Sequence, residues 1–351
     1  VDASACLVAE HDRMERRREV AMQAMQFEVD GPMTWADASE PEAGTGEVVV
    51  EVVAAAVNRA DLMQRSGKYP PPAGESEVLG LECSGTIVAL GAGVADGVEG
   101  WAVGDEVCAL LAGGGYAERV AVPATQLLPV PVGVSLADAA ALPEAVCTVW
   151  SAIRDLPQPE EGELALVHGG SGGMGTMAIQ VLRALGWRVA ATSSARHREL
   201  CASLGAEIVI DYRAEDFVEV VHGATDGRGA GFVLDVIGAD YLGRNLDALA
   251  LDGAMTVIAV QGGPKTEVDL RRLMQRRVTL RAMTLRARPR TGGRGSKAEV
   301  VRQVRETVWP LIAAGAVRPV IGARVPLVEA ERAHELMGSP EAPGGKLLLV
   351  R

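Results

Sequence analysis

Gly170, Gly172 and Gly175 follow a short apolar run, Ala165-Leu-Val-His-Gly, and lead into Thr176-Met-Ala-Ile-Gln-Val-Leu. Glycines at this spacing between a strand and a helix can hold a phosphate. The first would allow the tight turn off the strand, the second would let the backbone approach a pyrophosphate without a clashing Cβ, and the third would let the helix pack closely on the sheet. The helix N-terminus then offers free N–H groups and a partial positive charge. The whole turn, Gly170, Ser171, Gly172, Gly173, Met174 and Gly175, is a candidate contact surface for a dinucleotide.

The end of the next strand selects between dinucleotides. A site for NAD places Asp or Glu about 20 residues beyond the first glycine, where it accepts hydrogen bonds from the ribose 2′-OH. Here Thr192-Ser-Ser-Ala-Arg-His-Arg carries no acid before Glu199. Ser193, Ser194, Arg196 and His197, with Arg198 beyond them, can donate to a 2′-phosphate, and a guanidinium can do so through two bonds. The residues favour NADPH over NADH. The competing reading of Arg196 and Arg198 is a solvated first turn of helix.

These groups need elements to hold them. A helix over Thr176 to Leu185 is followed by strands at Trp187-Arg-Val-Ala-Ala-Thr, Ile208-Val-Ile, Phe232-Val-Leu-Asp and Met255-Thr-Val-Ile-Ala-Val, with a helix ending near Leu204-Gly205. Strand alternating with helix predicts an α/β unit with a parallel, doubly wound sheet. Upstream, Gly46 to Arg119 carries the runs Val48-Val-Val-Glu-Val-Val and Gly85-Thr-Ile-Val-Ala-Leu between Gly and Pro turns, which predicts an antiparallel or barrel-like β unit. Downstream, Thr284 to Lys297 is basic (Arg286, Arg288, Arg290, Arg294, Lys297) and reads either as a solvated, mobile loop or as a phosphate contact or flap. Helices over Ala298 to Ala314 and Val328 to Met337 flank the strand-like Ile321-Gly-Ala-Arg-Val-Pro-Leu. The closing strand Lys346-Leu-Leu-Leu-Val has no obvious partner nearby and is expected to return to the first unit. Residues 1 to 23 are charged and irregular and read as an extension, with room for a short helix over Arg13 to Met25.

At 351 residues the chain suits two domains, each able to bury its own core. With 34 basic against 46 acidic residues its net charge is −12, which argues against nucleic acid or an anionic membrane as the main partner. Cys6, Cys83, Cys108, Cys147 and Cys201 form no CxxC pair, as expected of a reducing compartment without a disulfide framework. Arg16 to Arg18 are interleaved with Asp12, Glu15 and Glu19, unlike a targeting segment, and the uncharged stretch Val120 to Ala137 is broken by Pro123, Pro129 and Pro131. A cytoplasmic location is the expectation.

Several runs carry a resemblance. Asn58-Arg-Ala-Asp-Leu-Met-Gln-Arg-Ser-Gly-Lys-Tyr-Pro-Pro-Pro, Leu79-Gly-Leu-Glu-Cys-Ser-Gly-Thr-Ile, Val103-Gly-Asp-Glu-Val, the glycine turn, Leu204-Gly-Ala, Val209-Ile-Asp-Tyr-Arg-Ala-Glu-Asp-Phe and Gly344-Gly-Lys occur in order. Together they resemble the zinc-free quinone oxidoreductase (zeta-crystallin-like) branch of the medium-chain dehydrogenase/reductases. The run at 58 to 72 looks like the subgroup of the tumour-suppressor-induced NADPH quinone oxidoreductase. The resemblance implies a GroES-like β-barrel catalytic domain from residues 24–145 and 290–351, with a Rossmann NADPH-binding domain at 146–289 inserted. It implies NADPH in the cleft between them and a homodimer or tetramer paired through the Rossmann sheets. It also implies that Asn58 and Tyr69 bound the nicotinamide and the substrate, Asn58 as an amide donor and Tyr69 as a ring wall and proton donor. Ser171, Val260 and Lys346 would touch the cofactor, and Tyr212 would stack beside the 2′-phosphate. Met63 stands where some bacterial members carry Tyr.

Aligned on the family motifs, the places that supply a catalytic zinc in related dehydrogenases hold Asn58, Leu81 and Glu144. Leu81 cannot ligate, Asn58 is a poor ligand, and one carboxylate cannot hold the metal alone. No metal is expected. Glu82 and Glu144 are then expected to start helices or make hydrogen bonds, and Cys83 and Cys147 to be small buried hydrophobes. A substrate reduced without a Lewis acid must already be electron-poor. A quinone fits, and a conjugated enal, enone or enoyl compound is the alternative. A non-catalytic NADPH-binding or RNA-associated role is the reading of another class, and the −12 charge counts against RNA.

Overall fold

A computed structural model describes residues 22–95, 97 and 100–351. The expected extension up to residue 21 lies outside the described residues. From Met22 the chain is strand, not helix: β1 (Met22–Phe27) pairs antiparallel with β2 (Met33–Ala38). Met22 and Ala24, two apart and so on one face of the strand, pack on Ala117.

β3 (Glu47–Val57) is the spine of the first unit. Its Val and Ala residues suit a strand covered on both faces, and β4 (Glu82–Leu90) runs along one edge of it. The other edge is shared. β6 (Arg119–Pro123) pairs beside Glu47 to Glu51, and β15 (Lys346–Val350) beside Ala54 to Val57. β5 (Glu106–Leu110) and β7 (Leu127–Pro129) continue the sheet beyond β4, and β14 (Ile321–Pro326) lies parallel to β15. The last strand of the chain thus closes the first sheet. Because Leu347 is in register with Val57, Lys346 and Asn58 arrive at the same end of that sheet.

The second sheet is wholly parallel, in the order β10 (Ile208–Asp211), β9 (Arg188–Ser193), β8 (Leu164–Val167), β11 (Ala230–Asp235), β12 (Leu249–Val257), β13 (Thr279–Ala282). This is the doubly wound dinucleotide-binding order, and the expected fold class stands. The strand order reverses between β8 and β11, where such sheets bind ligands. β13 was not foreseen: Thr-Leu-Arg-Ala is a short, largely exposed edge with no apolar run to announce it. The helix expected over Ala298 to Ala314 is two, Lys297–Thr307 and Trp309–Ala313, because Pro310 has no N–H to continue the ladder.

Each unit buries a core of its own, around Val50, Ile87 and Val107 in the first and Leu166, Ile210 and Val233 in the second, and a third cluster is shared between them. Cys108, Leu110 and Leu128 of the first sheet pack in one apolar cluster with Val167 and Phe232 of the second, with Met177 of the helix after the glycine turn, and with Val300, Val304 and Trp309. The stretch Leu136–Ile153 is long and apolar enough to cross a membrane, but Pro143 starts a new helix within it and it is 78% buried inside the protein.

Candidate active site

The glycine turn leaves the C-terminal end of β8. Its left-handed residue is Gly169 (φ 68°), not Gly170, so the expected role of the first glycine belongs one residue earlier. Gly170 is instead a packing position, where a Cβ would come within 2.8 Å of the Ala191 Cβ. Gly172 caps the helix Gly173–Ala184, and a Cβ there would meet only the Gly169 carbonyl oxygen, at 3.5 Å. The space beside it is open to a phosphate. A Cβ on Gly175 would collide with the Gly169 carbonyl and lie 2.6 Å from the Gly170 Cα, so this glycine lets helix and turn touch. Met174 is half-buried against the shared core.

β15 enters across this turn. The Gly345 N–H donates to the Ser171 carbonyl (2.8 Å), and the Lys346 stem passes where a Gly173 Cβ would sit. Lys346 is buried. Its Nζ donates to Asn58 Oδ1 (2.7 Å) and pairs with Glu82 Oε1. Asn58 Nδ2 donates to the same Glu82 oxygen (2.9 Å) and to the Ala56 carbonyl (3.2 Å), and Glu82 Oε2 accepts the Glu144 N–H (2.8 Å). Both amide hydrogens of Asn58 are therefore engaged within the protein. The expectation that Asn58 donates to a substrate is corrected: what it has left is one lone pair on Oδ1, an acceptor. Asn58 also caps its helix, its backbone N–H donating to Asp61 Oδ2 (2.7 Å) and its carbonyl accepting from the Asp61 N–H (2.9 Å).

Around this cluster burial dominates the ionisation. Burial pushes Asp61 up to about 6, against the hydrogen bonds it accepts from the Asn58 and Gly80 backbone. Burial, followed by the charge of Glu82, pushes Glu144 up to about 8. Burial also holds Cys83 at about 12 and lifts Cys147, so both thiols are inert core residues.

Tyr69 is half-buried. Its hydroxyl shares a hydrogen bond with Thr284 Oγ1 (2.8 Å), and the Arg286 guanidinium lies over its ring at 5.4 Å. The basic segment is in part built into the protein, although residues 289–294 remain exposed. Arg286 is 2% exposed and donates to Gln64 Oε1 (2.6 Å) and to the Ala112 (2.8 Å) and Tyr69 (3.2 Å) carbonyls. Arg290 holds Glu75 and Glu47. The segment straps the second unit to the first. Sequence reading missed Arg286 and Lys297 as buried groups because their partners lie far away in the chain.

At the far end of the turn, Ser193 is buried with its hydroxyl donating to the Ser194 carbonyl (3.2 Å), and Ser194 is half-buried. Arg196 is exposed, donating to His197 Nε2 (3.0 Å) and to the Ala342 carbonyl; burial and then Arg196 lower the His197 ionisation. Arg198 turns away, to the Val209 carbonyl and Glu215 (2.9 Å), and so is not brought to this place. The Tyr212 N–H donates to the Ser193 carbonyl (3.3 Å), which joins the two main chains; the Tyr212 ring is exposed, with Arg213 5.5 Å from its centre. Arg213 joins the candidates; the motif Asp211-Tyr-Arg was its only signal. Val260 is exposed beside Gly238 at the β11 side of the crevice.

Comparison with known proteins places this geometry. A family model described as the alcohol dehydrogenase GroES-like domain matches residues 44–132, and one described as zinc-binding dehydrogenase matches 173–297. Quinone oxidoreductase 1 of Escherichia coli (strain K12) is 31% identical over 332 residues, covering 93% of this chain and 95% of that protein. The solved structure of the Escherichia coli quinone oxidoreductase complexed with NADPH superposes with a TM-score of 0.81 at 28% identity, covering 94% of this chain and 99% of that one. The phthioceranic/hydroxyphthioceranic acid synthase of Mycobacterium tuberculosis (strain ATCC 25618 / H37Rv) is 34% identical over 311 residues, 87% of this chain. The chain spans only 14% of the length of that synthase. The chain belongs to the medium-chain dehydrogenase/reductase superfamily, with quinone oxidoreductases among its homologues.

The zinc named in one family model does not fit these residues. Leu81 is a buried hydrocarbon, Asn58 is engaged on both amide atoms, and Glu144, the third place, is a single carboxyl that burial pushes up to about 8. Among the described residues no three His, Cys, Asp or Glu side chains converge to hold a metal.

Proposed function

We propose that the chain is an NADPH-dependent, metal-independent oxidoreductase that reduces quinones. The observation that carries this is the buried Lys346–Asn58–Glu82 cluster, tied to the glycine turn through Gly345 and Ser171. The homology to quinone oxidoreductases, one of them solved with NADPH, supports it. The residues fit the cofactor: Gly172 leaves room for a pyrophosphate at a helix N-terminus, and the end of β9 offers Ser194, Arg196 and the Tyr212 ring where an NAD site would place an acid. When bound, NADPH supplies hydride. The free lone pair of Asn58 can accept from a nicotinamide carboxamide, Lys346 adds positive charge balanced by Glu82, and Tyr69, pinned by Thr284, borders the cleft. With no metal to polarise an alcohol or simple carbonyl, the acceptor must itself be electron-poor.

A conjugated enoyl compound is the second reading. It is favoured by the 34% identity to a segment of an acid synthase, since reduction of a conjugated acyl group is chemistry this scaffold could supply to chain assembly. Initial rates of NADPH oxidation with quinones, enals and enoyl thioesters separate the two. The account expects turnover with quinones; turnover confined to enoyl thioesters would keep the scaffold and replace the substrate. A homodimer is part of the proposal, supported by the uncovered edge β13 and the exposed Leu251, Leu270, Met274 and Leu280 near it.

A further inference from the structure

Glu144 begins the helix Pro143–Ile153 with its backbone N–H on Glu82, one hydrogen bond from the Lys346–Asn58–Glu82 cluster. Its carboxyl is half satisfied. Thr148, one turn on, donates Oγ1 to Oε1 (3.3 Å), whereas Oε2 is buried without any hydrogen-bond partner. The charged groups around it are Glu82, Asp61 and Lys346 from the first unit and Arg286 and Lys297 from the strap. With an ionisation near 8, caused by burial and then by Glu82, the group is a neutral acid at ordinary pH. Since Oε1 receives the Thr148 hydrogen, the acid proton sits on Oε2, a donor with no acceptor in the protein.

Oε2 itself is enclosed, and the small exposure left to its residue lies on the side of the helix nearest the cluster. Val146, Cys147, Val149 and Ala152 are fully buried, while Glu144 and Thr148 keep 9% and 8% exposure, much as Asn58 keeps 6% and Lys346 4%. One turn of the helix, the turn beside the cluster, is not sealed.

We propose that Glu144 is the proton donor of this site, giving the proton on Oε2 to a substrate oxygen that gains negative charge as hydride arrives. This rests on the reductase reading above. The substrate takes two electrons and one hydrogen as hydride. The Glu144 O–H bond breaks with its electron pair left on the carboxylate, a new O–H bond forms on the substrate, and the carboxylate regains a proton from water after product leaves. Its placement beside Glu82 favours that return, because two neighbouring carboxylates resist both being ionised. Lys346 is less suited to donate, since its ammonium is held by Asn58 and Glu82.

The test is the pH dependence of kcat with a quinone for the wild type, Glu144→Gln and Thr148→Val, together with infrared difference spectra of the substrate-free protein across pH 8. In the wild type kcat falls as pH rises through about 8, and a carboxylic-acid C=O band disappears over the same range. Glu144→Gln lowers kcat by about 10²-fold or more, loses the limb and the band, and keeps NADPH affinity. Thr148→Val removes a hydrogen bond that favours the carboxylate and moves the limb to higher pH. If the wild type binds NADPH but reduces no acceptor, the reductase reading and this role fall together. If it reduces quinone and Glu144→Gln matches it in rate and pH profile, only this role falls.

Discussion

Lys346 and Asn58 are 288 residues apart in the chain and 2.7 Å apart in the site. Their meeting follows from the pairing of β15 with β3, and it leaves a carboxylate, Glu82, buried with its charge balanced. Lys346→Met removes that balance. Breaking one half of a buried pair costs about 3–5 kcal/mol, because the other charge stays desolvated. Chemical denaturation should show a loss of that size, and adding Glu82→Gln should recover part of it; an unchanged midpoint would mean that the pair contributes nothing. Glu144 gives a second prediction at this scale. Its ordinary value is 4.5 and its folded value about 8, so between them the folded chain holds a proton that the unfolded chain has lost. This contribution to stability is complete below about pH 4.5 and is lost as pH rises through 8. Glu144→Gln should flatten the fall of stability over that window by an amount on the order of a few kcal/mol, read as a shallower fall of Tm with pH. A parallel fall in both proteins would contradict the ionisation assigned to Glu144. At this scale the sequence pointed to Asn58, Lys346 and the serines after β9, yet not to the saturation of the Asn58 amide, the turning away of Arg198 or the burial of Arg286. Each of those depends on a partner that sequence neighbours do not reveal.

At the scale of elements, the glycine turn separates folding from binding. A methyl on Gly175 collides with the turn it packs against, whereas one on Gly172 meets only a carbonyl at 3.5 Å. Gly175→Ala should lower Tm and abolish dinucleotide binding together. Gly172→Ala should keep Tm within a degree or two while weakening NADPH at least about tenfold, by crowding the pyrophosphate. Titration of NADPH fluorescence alongside thermal melts reads both, and equal losses of stability in the two variants would show that Gly172 is structural. The strand and helix alternation was legible because most of the parallel strands are apolar runs. β13 was not, because a polar edge strand carries no such signal. The left-handed residue was assigned to Gly170 instead of Gly169 because adjacent glycines are indistinguishable until the chain direction is fixed by packing on Ala191.

At the scale of the molecule, one apolar cluster joins both units, and the strap from Thr284 to Lys297 fastens them through Arg286, Arg290 and the Tyr69–Thr284 hydrogen bond. Moving one unit away from the other would open that shared cluster. The proposed dimer uses the exposed edge strand β13, so Leu280→Arg should convert a dimer to a monomer in light scattering while leaving NADPH binding intact. A wild-type monomer would remove that part of the proposal. The most direct test of the central claim is the initial rate of NADPH oxidation with a para-naphthoquinone, for the wild type and Asn58→Ala, with NADH as the competing donor. The account predicts turnover that prefers NADPH over NADH and falls at least about tenfold in Asn58→Ala. No quinone reduction by the wild type, or a rate untouched by loss of Asn58, would contradict it.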